Sequence, residues 1–158
     1  MTSISNSDDI INSKELMSEI EELESELDEK EGEIAEIEEE IENLKENEDM
    51  TSEEMDEVIG LEEDLLKLKK ELQIIKDELE ELQDFNDEFE GYCPDWQYGV
   101  AIIRESYIDV YLKDELEDCR YIPKDFPDWI EIDWDATFDN MKADWTEGEF
   151  DGITYYAR

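Results

Sequence analysis

Two long heptad patterns occupy the first half of the chain. Leu16, Ile20, Leu23, Leu27, Ile34, Ile37, Ile41 and Leu44 follow alternating steps of four and three, interrupted only by Lys30. Val58, Leu61, Leu65, Leu68, Leu72, Ile75, Leu79 and Leu82 repeat the pattern. Such a 3.5-residue apolar period keeps one helix stripe facing a partner helix along its whole length, as in a coiled coil. The two registers do not match across Glu46–Met55, where Asn, Asp, Thr and Ser cluster. Thr51, with Glu54 three residues on, fits a capping box opening the second helix. The pattern therefore predicts an antiparallel hairpin with its turn near 47–52.

That register makes specific pairs. Ile41 meets Leu61, Ile34 meets Leu68, Leu27 meets Ile75 and Ile20 meets Leu82. On one flank Glu24 comes opposite Lys76 and Glu31 opposite Lys69. On the other, Glu26, Glu33 and Glu40 face Glu78, Glu71 and Asp64. A long two-chain coil is the alternative, and the second helix suits it better, because Asp64 and Glu71 can reach Lys69 and Lys76 of a partner. Ile59, Leu66 and Ile74 lie outside the seam. They are free to widen it, to pack on the C-terminal half, or to meet a partner chain.

The patterning changes near Gly91. All three Pro, all four Trp and all seven Tyr follow that point. Tyr98–Ile103 is an expected strand. Ser106, with Asp109 three residues on, predicts a helix to about Cys119 that carries Ile108, Tyr111, Leu112 and Leu116. Ile122–Pro127 is a connector. Asp133 is a good N-cap for a helix over Trp134–Asp144, with Phe138 and Met141 inward. Thr146–Arg158 reads as a hairpin turning at Asp151-Gly152. The expected fold is α+β: a flexible N-terminus over 1–13, an acidic coiled-coil hairpin over 14–90, and a small α+β domain over 91–158.

Charge narrows the function. The chain has 53 Asp and Glu against 13 Lys and Arg, no His, and a formal net charge of −40. Direct binding to nucleic acid or to an anionic membrane is not expected, since phosphate contacts need clustered Lys and Arg. A basic partner is. Without His the commonest general base and metal ligand are missing. Cys93 has no His beside which to act as a nucleophile. Asp133, Asp135 and Asp139 lack the Gly and Glu spacing of a calcium loop. No enzyme activity, cofactor or metal is expected. The N-terminus lacks the basic and apolar regions of a signal peptide, and no apolar run is long enough to span a bilayer.

The charge is also arranged. From Lys14 to Glu90 there are 34 acids and 7 Lys. Folded as a hairpin roughly 55 Å long, this carries about one net negative charge per ~2 Å. Duplex DNA carries one per ~1.7 Å. Acid-rich coiled coils also serve as spacers or oligomerisation rods, and a charge run is commonly a solvated face, although a spacer normally balances Glu with Lys for interhelical pairs. The first helix has only Lys14, Lys30 and Lys45.

The tail carries a resemblance. Pro127-Asp-Trp-Ile-Glu-Ile-Asp-Trp-Asp-Ala136, then Asp139-Asn-Met-Lys-Ala-Asp144 and Phe150-Asp-Gly-Ile-Thr-Tyr-Tyr156, is similar to the C-terminal segment of ArdA-type antirestriction proteins. It covers about 30 of the 158 residues, and the hairpin has no counterpart in that pattern. The resemblance implies an acidic, dimeric DNA mimic that occupies the DNA-binding groove of a bacterial nuclease. The expectation is a phage or mobile-element inhibitor of restriction–modification or CRISPR–Cas defence, working in the host bacterial cytoplasm, as a monomer or a homodimer. Its partner would be a basic nucleic-acid-binding protein or nuclease complex. The expected contact residues are Glu24, Glu31, Glu38, Glu39, Glu40, Asp133, Asp135 and Asp144, with Trp96 and Trp129 as exposed anchors. Trp134 and Trp145 are expected in the core. The competing expectation is a coiled-coil adaptor that oligomerises and presents a small binding domain.

Overall fold

The computed structural model describes residues 4–46, 49–123 and 125–158. Helices α1 (Ser13–Lys45) and α2 (Ser52–Glu90) are joined by a short turn. Among the described residues a four-stranded sheet and three further helices complete an α+β arrangement. Residues 47 and 48, inside the predicted turn, lie outside the described residues. The chain divides into two compact units: Ile20–Glu80, and Met1–Glu19 with Glu81–Arg158.

In the Ile20–Glu80 unit the heptad is the burial pattern. Leu23, Ile34 and Ile41 are buried, Ile20, Leu27, Lys30, Ile37 and Leu44 are half-buried, and every other α1 position from Glu21 to Lys45 is exposed. In α2, Val58, Ile75 and Leu79 are buried, with Leu61, Leu65, Leu68 and Leu72 half-buried. The capping box forms as predicted. Glu54 Oε2 accepts from the Thr51 backbone N–H at 2.7 Å, and Thr51 Oγ1 accepts from the Glu54 N–H at 3.2 Å.

Three ion pairs cross the hairpin on the e flank: Lys76–Glu31 at 2.8 Å, Lys69–Glu38 at 2.6 Å and Lys45–Glu62 at 2.6 Å. Their order along the two helices is antiparallel, as expected, but each is one heptad away from the predicted Glu24–Lys76 and Glu31–Lys69. The cause is the tilt of helical side chains toward their own N-terminus. In the predicted register, Glu24 and Lys76 sit nearly level and lean apart. Glu31 lies nearer the turn than Lys76, so those two lean together. Lys30, the polar residue in the seam, donates to Glu71 Oε2 at 2.8 Å and lies 3.9 Å from Glu33. Ile59, Leu66 and Ile74 do not widen the seam; they are exposed.

The other unit is built on an antiparallel sheet, ordered β1-β2-β4-β3. Its strands are β1 (Ile10–Asn12), β2 (Ala101–Arg104), β3 (Thr146–Phe150) and β4 (Ile153–Ala157). Part of the N-terminal stretch expected to be flexible, Ile10–Asn12, is thus a strand. Ile10 pairs with Ile103, Ile11 is 2% exposed, and Tyr155 Oη donates to the backbone oxygens of Asn6 and Asp8. Only two apolar residues mark β1 in the sequence, and its pairing partner is some 90 residues away. The predicted strand over Tyr98–Ile103 starts late, because Trp96–Gly99 forms a short helix, α3. Helix α4 (Glu105–Asp118) has Arg104 at its N-cap with no side-chain bond, so Ser106 does not cap it. Helix α5 (Trp134–Lys142) is capped as predicted, with Asp133 Oδ1 accepting from the Ala136 N–H at 3.1 Å. The β3–β4 turn is also as predicted. Asp151 and Gly152 both adopt positive φ, 46° and 74°, the geometry that a two-residue hairpin loop requires.

Strand alternation gives the sheet two covered faces. Ile103 packs with Ile108 and Leu112 of α4 and Phe138 of α5, with Trp134, Met141, Trp145 and Tyr156 around them. On the opposite face Tyr155 and Phe150 meet Phe85 of α2, at centroid distances of 5.5 and 5.0 Å. Phe89 stacks on Trp96 at 5.8 Å. Residues 81–90, read from sequence as the end of the coiled coil, thus belong to this core.

Candidate partner-binding surface

The expected contact residues fall in both units. Glu24, Glu31, Glu38, Glu39 and Glu40 are all exposed on α1. Glu31 and Glu38 are ion-paired to Lys76 and Lys69. The acids on the outer side of α1, turned away from the seam, include Glu21, Glu22, Asp28, Glu29, Glu36 and Glu42, all exposed. None of these six was singled out from the sequence, although the heptad places them at b and c. Residues 20–45 hold 13 acids and two Lys. At ~1.5 Å per residue this is about one net charge per ~3.5 Å. Phosphates along one strand of duplex DNA are ~3.4 Å apart.

The middle of α2 is different. Between Val58 and Lys76 there are four acids and four Lys. The hairpin thus has an acidic face on α1 and a charge-balanced face on α2, pointing away from each other across the shared seam.

In the sheet-containing unit, Asp133, Asp135 and Asp144 are exposed around α5. Asp133 is committed to its cap. Trp129 is an accessible aromatic, 82% exposed. Trp96 is not. It is 2% exposed, and its indole Nε1–H donates to Asn86 Oδ1 at 2.9 Å. Its expected role as a surface anchor is corrected by the stack with Phe89. An acidic cleft of about 690 Å³ was missed from the sequence: Asp84, Asp87 and Glu88 of α2 line it with Glu147 and Glu149 of β3, beside Tyr92. These acids lie some 60 residues apart and meet only because α2 crosses the sheet at Gly148. Within the cleft, Glu88 accepts from the backbone N–H of Glu149, covering a donor on an edge strand.

Burial raises the pKa of the Cys93 thiol, partly offset by a hydrogen bond with Thr146. Burial also raises those of Tyr111, Tyr155 and Tyr156. Among the described residues no group of three or more carboxylate or thiol side chains could hold a metal ion. No helix there is long and apolar enough to cross a membrane.

By fold the protein is an α+β chain with a long acidic helical hairpin. Comparison with protein-family models, curated proteins and solved structures finds no match.

Proposed function

We propose that the protein is a DNA mimic, encoded by a phage or mobile element, that inhibits a bacterial nuclease defence system of the restriction–modification or CRISPR–Cas kind. It would act in the host cytoplasm by lodging in a basic groove built for nucleic acid. The observation that carries this reading is the acid of α1: over residues 20–45 its net charge falls at close to the phosphate spacing of one DNA strand, and a groove lined with Lys and Arg attracts such a line strongly at low salt. Asp135, Asp144 and Trp129 are the candidate contacts of the sheet-containing unit taken by itself. The short resemblance to antirestriction proteins supports the same class.

Capture from a bacterial lysate at ~150 mM salt is expected to recover a restriction or CRISPR complex. Excess duplex DNA should displace it, and affinity should fall steeply with salt. Replacing Glu21, Glu22, Glu29, Glu36 and Glu39 with Gln keeps helix propensity and removes charge. Inhibition that survives this set unchanged would reduce the hairpin to a spacer. Asp133→Asn keeps the cap while removing the charge, so any loss it causes reports partner contact rather than folding.

One observation favours the adaptor reading instead: the exposed apolar residues on the balanced face of α2. An adaptor held by apolar contacts would show neither salt sensitivity nor displacement by DNA.

A further inference from the structure

The hairpin has an unpartnered row on α2. Ile59, Glu63, Leu66, Lys70 and Ile74 follow steps of four, three, four and four, which lines them up on one side of the helix. All are exposed, and the three apolar side chains are 50%, 57% and 58% exposed. A single exposed Leu or Ile is ordinary. Three on one stripe, at the spacing of a helix-packing seam, form a patch.

We infer that this face of α2 docks against the same face of a second copy of the chain, antiparallel and about a two-fold axis near residues 66–67. Two observations choose that occupant. First, the patch lies in a stretch of the hairpin, Val58–Lys76, where charge is balanced, so two copies of a chain of net charge −40 can meet over that stretch with acid facing acid only beyond its ends, at Asp56 and Asp77. Second, the row is complementary to itself when reversed. Ile59 falls opposite Ile74 of the second copy, Leu66 lies at the centre, and Glu63 falls opposite Lys70. A two-fold interface requires this kind of self-complementarity. Lys70 makes no ion pair among the described residues, whereas Lys67, Lys69 and Lys76 pair with Asp64, Glu38 and Glu31. The inference does not rest on DNA mimicry.

Sedimentation velocity tests it on the full chain at physiological salt, over protein concentrations from about 1 to 500 μM. The expected result is a concentration-dependent shift from the 18.8 kDa monomer to a dimer. Leu66→Glu should abolish the shift. Lys70→Glu and Glu63→Lys should each weaken dimerisation about tenfold, because each turns two attractive pairs into repulsive ones. The double variant should restore it, and circular dichroism should show unchanged helix throughout. A monomer at every concentration overturns the inference. So does a dimer indifferent to Leu66→Glu, a double variant that fails to recover, or a chain that stays monomeric while this face binds an unrelated protein.

Discussion

Gly148 shows how one residue sets the packing of the sheet-containing unit. A Cβ there would sit 2.5 Å from both Glu88 Oε2 and the Phe89 ring. The carboxylate can swing away. Phe89 cannot, because it is fully buried between Phe85 and Trp96. Gly148→Ala should therefore cost about 1–3 kcal/mol in urea denaturation. The two thiols make a second contrast. Cys119 is exposed, while Cys93 is buried with a raised pKa. One thiol per chain should react quickly with a disulfide reagent at pH 8, and Cys119→Ser should remove that fast phase. Nothing in their local sequence separates these cysteines, and the same holds for Trp96 and Trp129. In each pair the difference is which one the tertiary core encloses.

At the scale of elements, local rules were legible. The Thr51–Glu54 box, the Asp133 cap and the Asp151-Gly152 turn each depend on residues no more than four apart. Thr51→Ala should cost about 1 kcal/mol of stability, measured by thermal melting. The ion pairs of the hairpin were half legible: the flank was right and the partner one heptad off, because side-chain tilt adds to backbone level. Lys30 is the weak point of the seam, and Lys30→Leu should raise stability by about 1 kcal/mol. The hydrogen bond it donates to Glu71 holds its pKa above the ordinary 10.5. A group whose pKa is raised on folding contributes fully below 10.5 and loses that contribution as pH climbs through the raised value. Melting of the natural chain should therefore fall faster above about pH 10.5 than that of Lys30→Leu.

At the scale of the whole molecule, charge dominates. A net charge of −40 on 158 residues repels itself, and salt screens that repulsion. The melting temperature should rise by several degrees between ~20 mM and ~500 mM NaCl, an increase that a chain of balanced charge would not show. What the amino-acid order determined by itself was periodic or short-range: the two helices and their seam, the caps, the hairpin turn, and the concentration of acid along α1. These follow from a helical repeat or from neighbours within one turn. What only the tertiary structure decided was long-range. Ile10–Asn12 became a strand because β2 offered it an edge, the last turns of α2 joined the sheet-containing core because the sheet gave Phe85 and Phe89 an aromatic face, and Trp96 was buried by that face. Such contacts join residues tens of positions apart, and no local pattern records them.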